Sequence, residues 1–582
     1  MNAGYGVAAV VLVAVATVVI GAFGLRVSRT TSDFYVASRT VSPWWNASAI
    51  GGEYLSAASF LGAAGLILAF GADMLWYPVG WTAGYLVLLV LVAAPLRRSG
   101  AYTLPDFAEA RLESTAVRRV ASVLVVLIGW LYLMPQFQAA GLTLRTVTGA
   151  PTWAGGLVVA TVVLISVVFG GMRSITFVQT FQYWLKLTAI AVPVIFLFLV
   201  WQTDGAPTPG QSTLAEFREP TTVTMGTSAK VTVARATRAT VTGVVDGVRH
   251  RGERVTLNPG GHEVREGTTL RFPAGAAAPV ADRLPALANN DWALPLGGGQ
   301  EHPLYATYSL IFATFLGTMG LPHVLVRFYT NPDGRAARRT TLAVLVLLGA
   351  FYLFPAVYGA LGRLYTPDLL MTGRTDAVVL ELPGRMIAGW PGELLGTLVT
   401  AGAFAAFLST SSGLSVSVAG VLSQDIIARW VHGIRAFRLG AALAVSAPFA
   451  LAVAATGVPV ASVVGLAFAV AASTFCPLLL LGIWWRRLTD AGAITGMLAG
   501  GAASGSAVVL TITGAADDGW ARALLAQPAA WTVPLAFAVM IAVSLATRRR
   551  MAPNVARTMV RLHTPEQLDV DRGDRTFRDH AD

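Results

Sequence analysis

Residues 43–70 read PWWNASAIGGEYLSAASFLGAAGLILAF. A helix needs about 20 mostly apolar residues to cross a ~30 Å hydrocarbon layer, and this stretch qualifies. It also carries features a plain lipid-facing helix lacks. Gly51-Gly52 weakens the helix, and Glu53 follows about ten residues into the span, about 15 Å deep at ~1.5 Å per residue. A bare carboxylate at that depth costs several kcal/mol unless it is protonated, paired or wetted. Two readings follow: Glu53 hydrogen-bonds a neighbouring helix structurally, or it is a cation- or proton-linked carboxylate beside a helix break.

The rest of the chain sets the context. Only 13% of the 582 residues are charged and 55% are hydrophobic, whereas soluble domains carry roughly 25% charged residues. Mean hydropathy is +0.62. So few charges cannot wet the surface of a set of globular domains, which excludes a cytosolic enzyme, a disordered scaffold and a secreted disulfide protein. The single cysteine, Cys476, excludes a disulfide framework and a thiolate cluster. About thirteen apolar stretches reach spanning length: 3–25, 43–70, 75–96, 120–144, 152–171, 180–201, 305–327, 340–362, 394–422, 439–457, 459–485, 490–513 and 530–547.

The net charge of +11 would suggest nucleic acid in a soluble protein, but the placement of the charges gives another meaning. Met1 to Leu25 holds no Lys or Arg, unlike a signal peptide, while Arg26 and Arg29 follow it. Alternating from an outside N-terminus, 27 basic residues fall on the inner side and 5 on the short outer connections. That asymmetry predicts N-out, C-in topology in a bacterial plasma membrane and removes nucleic acid as a partner. Residues 202–304 break the pattern, with 10 basic and 10 acidic residues. Their alternation of β-branched and polar residues, with turns at Asp246-Gly247 and Asn258-Pro259-Gly260-Gly261, predicts a small extracellular β-rich insert, with a disordered loop as the alternative. Residues 548–582 read as a cytoplasmic, largely unstructured tail.

A second interruption lies in span 305–327, where Gly317-Thr318-Met319-Gly320-Leu321-Pro322-His323 puts two glycines and a proline within six residues. Breaks in corresponding positions of two halves point to a transporter site. Each break opens a five-span block, 43–201 and 305–485, which suggests inverted repeats, with one extra span at 1–25 and two more in 486–547. Span 394–422 adds Ala405-Ala406-Phe407-Leu408-Ser409-Thr410-Ser411-Ser412. Each hydroxyl can satisfy the carbonyl four residues back. Adjacent hydroxyls facing a break can instead replace water around a small hard cation. His323 reads as structural, at the inner end of a helix, and Arg145, Lys186 and Arg327 all read as lying near span ends. A carboxylate substrate would then rely on helix N-termini and hydroxyls for its positive pole. The candidate substrate residues are Ser56, Ser59, Phe60, Tyr132, Gln136, Thr318 and Met319, a small pocket suited to a two- to four-carbon monocarboxylate rather than a hexose.

These motifs resemble the sodium/solute symporter family, within it the cation/acetate (monocarboxylate) branch. GlyGluTyrLeuSerAlaAlaSerPheLeuGly (52–62) is similar to the branch's first-core-helix motif, and GlyThrMetGlyLeuProHisValLeuValArgPhe (317–328) to its sixth. AlaAlaPheLeuSerThr with Asp425 sixteen residues after Ser409 is similar to the eighth, and Gly170-Gly171-Met172 running on to Gln182 to the start of the fifth. The resemblance covers the membrane part and leaves out 202–304. It implies an all-α LeuT-like 5+5 inverted repeat, no enzymatic activity and no bound cofactor. It also implies a sodium site on the carbonyls of Gly52, Leu55 and Ala406 and the hydroxyls of Ser409 and Thr410, with Glu53 as a coupling candidate. The implied partners are a small monocarboxylate such as acetate, propionate or pyruvate and membrane lipid; no obligate protein partner is evident. Two departures matter. Many members have Asp where this chain has Gln179, a change the acetate-type branch shares, and many sodium/proline-type members have Asp at the position of Tyr54. They leave protons open as the coupling ion. Proline, pantothenate and urea are rival substrates, and a transporter-fold sensor is a rival class.

Overall fold

The computed structural model describes residues 3–25, 41–210, 213–296, 302–454, 460–515, 518–566 and 568. Arg26, Arg29, Arg39 and residues 567 and 569–582 of the expected tail lie outside the described residues; the described part of the tail is not unstructured but forms the last helix, Val555–His563.

Among the described residues, twelve helices are long and apolar enough to cross a membrane. The difference from thirteen has a physical cause. The expected span 43–70 is cut in two: helix Pro43–Tyr54 is only 12 residues, about 18 Å, too short to cross alone. Its continuation begins with a π-helical turn, Ala58–Gly62, and helix Ala63–Phe70. It then bends through a 3-10 turn at Gly71–Leu75 into the helix that ends at Arg98. Gly71 sits at φ +83°, and a Cβ there would collide with the Trp292 carbonyl. The turn therefore needs glycine on two counts.

The centre of the bundle is the hydroxyl-bearing helix Trp390–Val421, in which every residue from Val399 to Val421 is buried. Helix Thr152–Thr203 packs along it and against Pro43–Tyr54. The second broken helix runs Pro303–Gly320, leaves helical geometry at Leu321 (φ −77°, ψ 116°) and restarts as Pro322–Val326. Proline there has no N–H to give to the preceding turn. At one end of the bundle basic residues meet the short helix Leu104–Leu112, the π-helical turn Leu422–Ile426 and the end of the last helix. Arg118 pairs with Asp106, Glu109 and Asp425, and Arg98 pairs with Glu566.

The segment after Thr203 folds into seven strands: β1 Thr221–Thr224, β2 Ala229–Val233, β3 Thr237–Val245, β4 Val248–Leu257, β5 Gly260–Val264, β6 Thr269–Phe272 and β7 Val280–Ala281. Every pairing is antiparallel, in the order β1-β6-β3-β5-β2-β7 with β4 on β3. Asp246 (φ +50°) and Gly247 (φ +78°) make the two-residue turn between β3 and β4, as an Asp-Gly pair favours. Val231, Val241, Val264 and Leu270 fill one face, and Phe217 stacks on Phe272 at 4.8 Å. The sheet's flank is tied to the membrane part. Trp292 Nε1 donates to the Ile67 carbonyl at 2.8 Å, and Arg363 donates to Asn289 Oδ1 at 3.0 Å and the Leu287 carbonyl at 2.6 Å.

Candidate functional site

The first break frees carbonyls, and the hydroxyl helix meets them. Leu55 N–H closes on Gly51 at 3.1 Å, but Leu55 itself turns to ψ 84°, and regular hydrogen bonding resumes only at Phe60 N–H to the Ser56 carbonyl. Of the groups exposed between, the Gly52 carbonyl accepts from Ser409 Oγ at 2.7 Å and the Glu53 carbonyl from Thr410 Oγ1 at 2.6 Å. Ser409 Oγ also lies 3.1 Å from the Ala406 carbonyl. All five residues expected to hold a cation, Gly52, Leu55, Ala406, Ser409 and Thr410, therefore come together at one buried crossing.

Lys186 enters this crossing. Its Nζ donates to the Leu55 carbonyl at 2.8 Å, to Ser409 Oγ at 2.8 Å and to the Gly52 carbonyl. The sequence reading set Lys186 near a span end. The structure corrects this, because the helix of the span Met172–Thr203 carries it well inside and its side chain is fully buried. A charged residue between Leu185 and Leu187 gives little sign of which neighbour it reaches.

Arg327 is the second correction. It directly follows Pro322–Val326, yet its guanidinium is fully buried and turns back to Glu53, Nε to Oε2 2.7 Å. The same group donates to Thr176 Oγ1 at 2.9 Å and to Gln179 Oε1, and Gln179 Nε2 donates to the Ser409 carbonyl at 2.8 Å. Glu53, read from the sequence either as bonded to a neighbouring helix or as a cation- or proton-linked carboxylate, thus ties the two broken helices together. Gly413 leaves it room: a Cβ there would overlap the carboxyl group.

The candidate substrate residues surround the same breaks. Gln136 Oε1 accepts from Ala57 N–H at 2.9 Å, capping the restarting helix. Tyr132 OH is 3.5 Å from Ser56 Oγ, and Ser59 Oγ is 2.8 Å from Tyr352 OH. Thr318 Oγ1 is 2.7 Å from Tyr54 OH, joining the two breaks directly. Met319 is buried beside it, and the Phe60 ring is tilted 42° against that of Phe351, centroids 6.1 Å apart. Sequence reasoning missed the aromatic wall centred on Trp81, whose ring lies 5.7 Å from that of Tyr352 and 6.1 Å from that of Phe468. His323 is fully buried with its ring 5.3 Å from Tyr132, not at a wetted helix end.

Two crossed, broken helices, a hydroxyl helix on their freed carbonyls and a surrounding bundle define a LeuT-like secondary-transporter fold. The sequence model of the sodium:solute symporter family matches residues 34–219 and 298–500. This chain belongs to the sodium:solute symporter family. The gap between the matched parts coincides with the sheet. An uncharacterized symporter of Bacillus subtilis, YwcA, is 30% identical over 83% of this chain and 82% of its own length. A monocarboxylic acid transporter of Corynebacterium glutamicum is 29% identical over 88% of this chain and 86% of its own. In structure, the chain is similar to a Na+-coupled sialic acid symporter in a substrate-bound outward-open state. The TM-score is 0.63 at 13% identity, covering 94% of this chain and 98% of that one.

Proposed function

We infer that the chain takes up a small monocarboxylate such as acetate, propionate or pyruvate by cation-coupled symport with alternating access. The observation that carries this is the convergence of both helix breaks on one buried polar cluster, with Tyr54 OH bonded to Thr318 Oγ1 across them. In an oily layer, non-helical backbone is tolerated only where protein or a cavity satisfies it. Two such places meeting in the bundle interior make a site that either side can reach when one repeat rocks against the other. The lining is small and mixed: Ser56, Ser59, Thr318 and Gln136 supply a few polar atoms, Ala57, Ala58 and Gly317 supply little bulk, and Tyr132 and Phe60 close it. A short acid needs few hydrogen-bond partners, whereas a hexose needs many. The Corynebacterium relative's name supports this substrate class. N-out, C-in insertion in a bacterial plasma membrane is the matching topology, with the sheet outside and the Arg98–Glu566 end in the cytoplasm.

The test is uptake of labelled acetate, propionate and pyruvate into proteoliposomes under imposed sodium or proton gradients. Accumulation of at least one acid above equilibrium is expected, and Ser409→Ala with Thr410→Ala should abolish it. Accumulation of proline, pantothenate or urea with none of the acids would sink the substrate reading. Removing sodium in one arm and adding a protonophore in another identifies which gradient drives the process.

A further inference from the structure

The sodium expected at Gly52, Leu55, Ala406, Ser409 and Thr410 does not fit the atoms found there. We propose that the Lys186 ammonium is a tethered cation that takes the place of sodium at the helix crossing, so that no sodium ion binds there. The proposal rests on reading that crossing as the transporter's cation site.

An ammonium has three donors and no acceptor, and Lys186 Nζ has three acceptors: the carbonyls of Gly52 and Leu55 and Ser409 Oγ. These are three of the five oxygens that the sodium reading requires. The other two are also engaged, because Thr410 Oγ1 bonds the Glu53 carbonyl and the Ala406 carbonyl faces Ser409 Oγ. A small hard cation takes the same kind of oxygens, but with the ammonium in hydrogen-bond contact it would share them with a like charge in a water-poor interior. Moreover, Glu53 does not neutralise Lys186 directly. Its Oε2 is engaged by Arg327, and among the described residues no carboxylate forms an ion pair with Lys186. The ammonium is held by backbone dipoles and a hydroxyl, as a bound alkali ion would be. Lysine suits that role better than arginine because its charge is compact.

The test is a thermal-unfolding titration of the purified full chain in detergent, with NaCl replacing choline chloride at constant ionic strength and KCl as control. This reading needs no substrate, so its failure is separable from failure of the monocarboxylate assignment. The wild type should show no sodium-specific shift. Lys186→Ala, which vacates the oxygens, should acquire a saturable upward shift of about 2 °C or more with sodium but not potassium. A saturable sodium-specific shift in the wild type, removed by Ser409→Ala, overturns the proposal without needing the lysine variant to fold. A folded Lys186→Ala protein that still ignores sodium overturns it as well. As a functional arm, uptake by the wild type should be equal, within twofold, in sodium and choline media; loss of uptake in choline counts against the tethered cation.

Discussion

Glu53 and Arg327 face each other with both side chains almost fully buried, 2.7 Å apart. Removing one partner of such a pair strands a charge, which costs about 3–5 kcal/mol, whereas removing both is often far milder. Arg327→Met is therefore expected to lower thermal stability sharply, and Glu53→Gln with Arg327→Met together to recover much of the loss. The check is the unfolding midpoint of Arg327→Met, Glu53→Gln and the double variant; additive losses would show that the two groups do not act as a pair. The sequence singled out Glu53, because a charge in an apolar span is conspicuous. It did not give the partner. Arg327 follows a helix by one residue, and only the bend at Leu321 and Pro322 aims its side chain back into the bundle. Lys186 was illegible for a related reason: periodicity shows that a residue is intramembrane, not which carbonyls another helix has released.

Breaks in helices were the most legible feature, since Gly51-Gly52 and Gly317 to Pro322 carry their own backbone chemistry. What the sequence did not show was how closely the halves pack. At Gly52 a Cβ would run into the backbone carbonyl of Gln179, and at Gly65 it would sit 2.5 Å from Asp376 Oδ1 and 2.8 Å from the Asp376 nitrogen. Backbone atoms cannot step aside as a flexible side chain can. Gly65→Ala should therefore cost about 1–3 kcal/mol of stability through overpacking. Its effect should be visible as reduced yield and a lowered unfolding midpoint, while Gly349→Ala, where a Cβ meets nothing within 4 Å, should be silent or mildly stabilising. Equal behaviour of the two would mean that helix propensity, not close approach, dominates at Gly65.

On the scale of the whole molecule, a water-facing sheet is docked on a membrane bundle, and the two obey different physics. Glu53, Lys186 and Arg327 are sequestered inside the bundle, while the sheet keeps its charges at the surface, where pH acts on them. His262 is the clearest case. Partial burial works against its charge, but the Asn258 carbonyl at 2.8 Å and the Asp246 carboxylate at 2.6 Å outweigh that and raise the imidazole's pKa above 6.5. For Asp246, burial raises and the bonds from His262 and the Glu263 N–H lower, leaving its pKa below 3.8. A raised histidine contributes stability that is complete below pH 6.5 and fades as pH climbs through the folded value. A lowered aspartate contributes above pH 3.8 and loses its contribution as pH falls through its folded value. The pair is therefore fully formed between those limits, and it staples the β3–β4 turn to β5. Hydrogen exchange, corrected for its intrinsic pH dependence, should show the amides of 246–264 losing protection as pH rises past 6.5, with the bundle helices unchanged. Asp246→Asn should flatten that dependence, because the neutral amide no longer favours the imidazolium. If the bundle loses protection over the same interval as the sheet, the insert is not an independently titrating module, and its contacts through Trp292 and Arg363 transmit the change inward.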